Sequence, residues 1–242
     1  NIAASQADYF QATKGGGHGD YHSIVLAPSS VQEMFDFTYE AFSLADRYRN
    51  PVMILADGTL GQMMEPLEFD DDIKFAPPVD KPWSLRGAQG KKAKHIKSLI
   101  LGSDKESLEC HNINLQKKYQ LIAKEQVRCD EYNTEGAEII IVAYGLMSRI
   151  AYSCLGTCKN GRKIGIVTPK TLWPFPYGNI RKIAEKDTQV RFLVVEMSAG
   201  QMVEDVRLAV QDDERVNFYG RMGGGIPTEK QILEELEKIS RK

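Results

Sequence analysis

The chain has 242 residues, 42% hydrophobic and 26% charged, which is ordinary globular composition with room for one large or two modest domains. With 31 basic and 33 acidic side chains the net charge is −2, so no nucleic-acid partner is expected. No apolar run approaches the ~20 residues of a membrane helix, so no membrane partner is expected either.

Residues 1–11 read like the interior of a domain, and the expectation is of a piece of a longer chain. Residues 24–58 read as one βαβ unit. Ile24, Val25 and Leu26 form a short apolar run, and Ser30 with Glu33 makes a capping box ahead of a helix. Val31, Met34, Phe35, Thr38, Ala41, Phe42, Ala45 and Tyr48 recur at helical spacing and predict its buried face. Asn50-Pro51 ends the helix, because the residue before proline leaves the α region. The apolar run 52–56 predicts a parallel strand covered on both faces, closed by Asp57-Gly58. Two strands and one helix cannot bury both sheet faces. The missing neighbours are expected from upstream sequence or another chain. Failing those, Val25, Leu26, Met53, Ile54 and Leu55 need cover from the connector, the long helix that follows or a second copy, or the unit is poorly ordered.

Residues 66–135 read as a connector. Pro66, Pro77, Pro78 and Pro82 and the acidic run 70–72 describe an extended stretch. Leu108, Leu115, Tyr119 and Ile122 then mark the stripe of a long one-sided helix. From residue 136 a second α/β pattern begins. Strands are predicted at 138–144, 163–168, 190–196 and 216–219. Between them lie a helix ending at Asn160-Gly161, one beginning near Pro176, and one over 200–210 with Met202, Val203, Val206 and Val210 inward. Thr228 and Gln231 cap a last helix with Ile232, Leu233, Leu236 and Ile239 on one face. This alternation predicts an α/β fold with a parallel, doubly wound sheet.

In such sheets ligands gather at the carboxyl ends of strands and in adjoining glycine-rich turns. Gly17, His18, Gly19 and Asp20 belong to a Lys-Gly-Gly-Gly-His-Gly-Asp run, which suits close backbone approach to a ligand or subunit, or equally a flexible loop. Asp57 either serves a site at a strand end or caps a turn. Trp173 and Phe175, in the stiff loop 171–176, suit docking against another domain better than chemistry. Glu196 and Gln201 join a strand end to a helix start, where backbone N–H groups hold an anion or Glu196 fixes a neighbouring loop. Arg221, in a glycine-rich loop, binds a carboxylate or phosphate or is simply solvated.

Four cysteines are present: Cys110, Cys129, Cys154 and Cys158. None belongs to a closely spaced ferredoxin-type run ending in Cys-Pro. Cys154 and Cys158 read as small buried hydrophobes, and a reducing, cytoplasmic setting is expected. No nucleophile–base pair, metal cluster or phosphate loop stands out. From the residues alone the reading ends at a two-part α/β protein with glycine-rich loops.

Segments 5–12 and 15–20, the run 24–33 and the strand closing at Asp57-Gly58 resemble the middle of the α-type, pyrimidine-binding subunit of 2-oxoacid:ferredoxin oxidoreductases. Trp-Pro-Phe-Pro at 173–176 and the segments 196–207 and 220–227 resemble the transketolase C-terminal-like domain that follows in those subunits. The resemblance is strongest to the branched-chain (3-methyl-2-oxobutanoate, or ketoisovalerate) type. It implies 1–65 as the C-terminal part of a thiamine-diphosphate pyrimidine-binding domain, 66–135 as a connector with a long helix, and 136–242 as the transketolase C-terminal-like domain. It also implies thiamine-dependent oxidative decarboxylation of a 2-oxoacid to acyl-CoA, with electrons passing to ferredoxin. Thiamine diphosphate and magnesium would sit at an interface with a diphosphate-binding β-type subunit. Cluster-binding and γ-type subunits would carry the iron–sulfur clusters. On this view Gly17, His18, Gly19 and Asp20 contact the cofactor, and Asp57, Trp173, Phe175, Glu196, Gln201 and Arg221 serve interfaces. The alternatives are another thiamine-dependent enzyme, of 2-oxoacid dehydrogenase or transketolase type, and a non-catalytic assembly module.

Overall fold

The computed structural model describes residues 3–69, 80–95, 107–155 and 161–239. A short helix α1 (Tyr9–Thr13) precedes β1 (Ile24–Leu26), α2 (Val31–Tyr48) and β2 (Val52–Ile54). Beyond the connector come α3 (Leu108–Glu125), β3 (Cys129–Tyr132), β4 (Ile139–Val142), α4 (Leu146–Ser153), β5 (Ile164–Pro169) and β6 (Thr171–Trp173). Then follow α5 (Tyr177–Lys186), β7 (Arg191–Glu196), α6 (Met202–Val210), β8 (Val216–Gly220) and α7 (Glu229–Ile239). None of the described helices is long and apolar enough to cross a membrane.

The larger sheet has the order β3-β5-β4-β7-β8. Four strands are parallel, and β3 is an antiparallel edge paired with β5. Successive side chains of a strand point to opposite faces. Ile140, Val142, Phe192 and Val194 accordingly pack with Ile180, Ala184 and Val206 of α5 and α6. Ile139, Ile141, Leu193 and Val195 pack with Met147, Ala151, Ile232 and Leu236 of α4 and α7. The sheet is doubly wound, as its apolar strands predict. The last helix carries the expected box: Gln231 N–H donates to Thr228 Oγ1 at 3.3 Å, and Thr228 N–H to Gln231 Oε1 at 3.1 Å.

The smaller sheet has the order β2-β1-β6. β1 and β2 are parallel, while β6 runs antiparallel to β1. The aromatic segment expected as a loop is therefore partly a strand: Thr171 and Trp173 lie opposite Leu26 and Val25, and only 174–176 remains irregular. The second unit thus supplies the first with a sheet partner. Ile24 and Leu26 are buried under Leu44 and Tyr48 of α2 and Tyr119 and Ile122 of α3. Val25 and Ala27 face the core of the second unit. The long helix is the cover this strand required.

Four expectations need correction. The segment expected as connector and long helix ends in a strand: α3 stops at Glu125 and Cys129–Tyr132 pairs with β5. β2 is not covered on both faces: among the described residues it has one sheet neighbour, it stops at Ile54, and it leaves Met53 39% exposed. The buried face of α2 is also rotated from the one predicted, with Thr38 exposed and Phe42 73% exposed. Phe37 and Leu44, which lie outside that face, pack over β1 and α3 together with Tyr48, the one member of the predicted face that is buried there. In the first capping box Glu33 N–H donates to Ser30 Oγ at 3.0 Å, but the Glu33 carboxylate reaches Ser29, not Ser30. Within the described residues α4 ends at Ser153. The predicted continuation to Asn160, Cys158, Pro77, Pro78 and the acidic run 70–72 lie outside them.

Candidate functional site

The carboxyl ends of β4 and β7 are bridged by the segment that leads into α1. Gln6 N–H donates to Met197 O, Met197 N–H donates to Gln6 Oε1, and Gln6 Nε2 donates to Tyr144 O, each at 2.9 Å. Glu196, fully buried, accepts from the N–H groups of Met202 at 3.0 Å and Val203 at 2.9 Å, from Gln201 N–H, and from the Ser198 hydroxyl at 3.0 Å. Burial pushes its carboxyl above the usual range, and these N–H groups oppose that shift. The start of α6, a place an anion would favour, is thus already occupied by the chain's own carboxylate.

Asp57 joins the two units at this end. One oxygen accepts from Thr59 and Leu60 N–H, both at 3.0 Å, and the other from Leu146 N–H at 3.2 Å, capping α4 from outside. The preceding residue, Gly145, has φ of +58°, a backbone conformation that favours glycine, and a Cβ there would press against the Gln6 amide at 3.3 Å. A void of about 20 Å³ remains between Gln6, Asp57, Tyr144 and Gly145, room for about one water. Burial and the nearby Glu196 and Asp57 carboxylates raise the Tyr144 phenol well above its ordinary value. Arg221 extends from this end towards Ile226 O and Gln231 Oε1, at 3.5 and 3.4 Å, and is exposed. This end of the sheets is a packed junction.

The open site lies on the other side of β1. Gly17, His18, Gly19 and Asp20 precede the amino end of that strand and are all exposed. A Cβ at Gly17 or Gly19 would meet nothing within 4 Å, so packing does not demand glycine there. Gly16 N–H donates to the Tyr21 hydroxyl at 2.8 Å, and Gln116 Nε2 donates to Asp20 O at 3.0 Å. An open groove of about 730 Å³ runs between Lys14, Asp20, Tyr21 and His22 on one side and Glu109 and Asn112 of α3 on the other. His22 stacks on Trp173 with ring centres 4.5 Å apart and meets the Tyr119 ring edge-on at 5.2 Å. Burial lowers its pKa, against a hydrogen bond to Thr13, and Nδ1 is enclosed without a hydrogen-bond partner among the described residues. Among the described residues no cluster of His, Cys, Asp or Glu could hold a metal ion.

The sequence-derived residues therefore divide. Glu196 and Gln201 are hydrogen-bonded to each other, the Arg221 amide donates to Glu196 O at 3.2 Å, and Asp57 reaches α4. Trp173 belongs with His22 beside the glycine loop, and Phe175 is buried, meeting the partly buried Tyr177 ring edge-on. Gln6, Tyr9, Tyr144 and Asp205 were not anticipated. Asp205 alone left a trace, an acid on the buried stripe of α6 that Met202, Val206 and Ala209 define.

Residues 1–127 match the family model for pyruvate flavodoxin/ferredoxin oxidoreductase, thiamine diP-bdg (thiamine-diphosphate-binding), which covers all of the smaller sheet but β6. The chain belongs to the pyruvate flavodoxin/ferredoxin oxidoreductase family. A second model, pyruvate:ferredoxin oxidoreductase core domain II, matches residues 137–232, so the family's two modules meet around β3. The ketoisovalerate oxidoreductase subunit VorB of Methanothermobacter marburgensis is 47% identical over 99% of this chain and 67% of its own length. The 2-oxoglutarate synthase subunit KorA of Methanothermobacter thermautotrophicus is 32% identical over 98% of this chain and 69% of its own. Among solved structures, a 2-oxoglutarate:ferredoxin oxidoreductase from Magnetococcus marinus, with 2-oxoglutarate, coenzyme A and succinyl-CoA bound, superposes with a TM-score of 0.75 at 23% identity. That match covers 98% of this chain and 46% of the solved one, and shows the family fold.

Proposed function

We propose that the chain forms the C-terminal part of the pyrimidine-binding subunit of a cytoplasmic 2-oxoacid:ferredoxin oxidoreductase that converts a branched-chain 2-oxoacid to its acyl-CoA. The observation that carries this is the 47% identity to a ketoisovalerate oxidoreductase subunit, against 32% to a 2-oxoglutarate synthase subunit over an equal reach of the chain. In this reading residues 1–65 complete the pyrimidine-binding domain, 66–135 connect, and 136–242 form the transketolase C-terminal-like domain, with β6 crossing back to the first sheet.

The glycine loop suits the cofactor edge. It is exposed, free of side chains at Gly17 and Gly19, and flanked by an open groove. Gly17, His18, Gly19 and Asp20 would face thiamine diphosphate across a subunit boundary, with the diphosphate and magnesium on the β-type partner. When bound, the cofactor supplies the electron sink that lets a 2-oxoacid lose carbon dioxide. This chain's part is to shape the boundary and hold the loop. Iron–sulfur clusters would sit on the cluster-binding and γ-type subunits, upstream of ferredoxin. Burial and the Glu131 and Asp130 carboxylates push the Cys129 thiol up to about 12, which makes this one cysteine a poor source of a cluster thiolate.

Co-expression of the whole subunit that contains this chain with the β-type, γ-type and cluster-binding chains tests the proposal. The assembled complex should reduce a viologen dye only when 2-oxoacid, thiamine diphosphate, magnesium and coenzyme A are all present. Turnover by this chain alone would overturn the assignment of the cofactor to a shared boundary.

A further inference from the structure

Most of the buried face of α6 is apolar, with Met202, Val206 and Ala209 fully covered, yet Asp205 in the same stripe is also 0% exposed. A carboxylate so enclosed is tolerated only when donors and a countercharge surround it. Asp205 has three. The Tyr9 hydroxyl donates to Oδ2 at 2.6 Å, the Lys14 ammonium lies 2.5 Å from Oδ1, and the Tyr177 hydroxyl also donates to Oδ1. Burial and the Asp205 carboxylate hold the Tyr9 phenol well above its ordinary value, so it remains a donor.

Two of those donors bracket α1, a helix of five residues, too short to hold itself in water. Nearby, the Gln201 side chain accepts from Phe10 N–H and donates to Ala7 O, both at 2.7 Å. α6 therefore grips α1 at both ends. The chain leaves that grip at Lys14 and enters the glycine loop at once, through Gly15 with φ of +103°. Lys14 is also a wall of the open groove, whereas Asp205 lies behind it.

We infer that Asp205 is a positioning residue: through Tyr9 and Lys14 it fixes the root of the glycine loop, and so sets where Gly17, His18, Gly19 and Asp20 stand. Its consequence for the cofactor rests on the reading under Proposed function. Its consequence for the loop does not. Asp205 needs no contact with cofactor or substrate to act, because a loop whose root is loose spends part of its time away from the bound geometry.

The test compares Asp205→Asn, Tyr9→Phe and Tyr177→Phe in the assembled complex, by hydrogen exchange and by steady-state kinetics. Asp205→Asn and Tyr9→Phe should speed exchange at residues 11–20 by about tenfold while β4 and β7 stay unchanged. Tyr177→Phe removes a donor that does not belong to α1 and should leave the loop as it is. The KM for thiamine diphosphate should rise about tenfold in the first two variants, with kcat at saturating cofactor changed less than about threefold. Loop exchange unchanged in Tyr9→Phe, or raised equally throughout the second unit, overturns the inference. Faster loop exchange with an unaltered KM keeps Asp205 as the loop's anchor and overturns the cofactor role of the loop.

Discussion

Lys170 of the second unit closes on Glu33 of the first, its ammonium in contact with the Glu33 carboxylate and 2.8 Å from the Ser29 hydroxyl. Asp130 approaches the same ammonium at 3.3 Å. The backbone joins in, because Ala27 N–H donates to Lys170 O at 2.9 Å just before β6 pairs with β1. The seam is thus a backbone ladder continued by a largely buried ion pair.

Lys170→Met should therefore destabilise the chain by about 2–4 kcal/mol, below the upper range for a buried pair because Glu33 keeps some access to solvent. Burial alone would raise the Glu33 pKa, but Lys170 and the two Ser29 donors outweigh it and leave it lowered from 4.5. A lowered carboxylate pKa adds stability above 4.5 that is lost as pH falls through the folded-state value. Denaturant titrations between pH 3 and 7 should show this acid limb in the parent and a weaker one in Lys170→Met. Equal limbs would contradict the pairing.

Asp57 makes a second tie. Asp57→Asn keeps one oxygen for Thr59 and Leu60 but turns an amide towards Leu146 N–H, so α4 should lose its cap at a cost of about 1 kcal/mol. Asp57→Ala removes both ties and should cost roughly 2 kcal/mol. Hydrogen exchange at the Leu146 amide is the readout. Protection undiminished in Asp57→Asn would show that the cap is not formed.

His22 gives a pH signature of opposite origin. Its pKa lies below 6.5 because burial disfavours the imidazolium, so stability should fall as pH drops from 6.5 towards the folded-state value. His22→Gln should flatten that part of the profile. A ring titration midpoint at or above 6.5, followed by NMR, would contradict the stacked, partly dry position between Trp173 and Tyr119.

The rotated face of α2 is open to direct test. Leu44→Ala should cost about 2–4 kcal/mol, whereas Phe42→Ala should stay within ~0.5 kcal/mol. The reverse order would restore the face that periodicity suggested.

That helix shows where the sequence was readable and where it was not. Four strands of the larger sheet were legible because burial leaves apolar runs such as 139–142. The polar edge strand β3, with only partly buried or exposed side chains, lay hidden in the segment read as connector and long helix. α2 carries two apolar stripes, and which one is buried depends on α3, a partner some 70 positions away in the chain. β6 was hidden because all three of its residues, Thr171, Leu172 and Trp173, read as part of a stiff aromatic loop. Its pairing with β1 is a long-range choice that local propensity does not encode. At the candidate site the glycine loop stood out by composition, and the Glu196–Gln201 turn by its place between strand and helix. Gln6, Tyr9 and Tyr144 did not, since a glutamine and two tyrosines acquire their roles only when chain segments about 190 and 140 positions apart are brought together.

The most direct test of the account compares 2-oxoacids in the reconstituted complex that contains this chain. With thiamine diphosphate, magnesium and coenzyme A supplied, kcat/KM should favour 3-methyl-2-oxobutanoate over 2-oxoglutarate by about a hundredfold, since a pocket built for a branched alkyl group leaves a second carboxylate unpaired. A preference for 2-oxoglutarate, or equal use of the two acids, would contradict it.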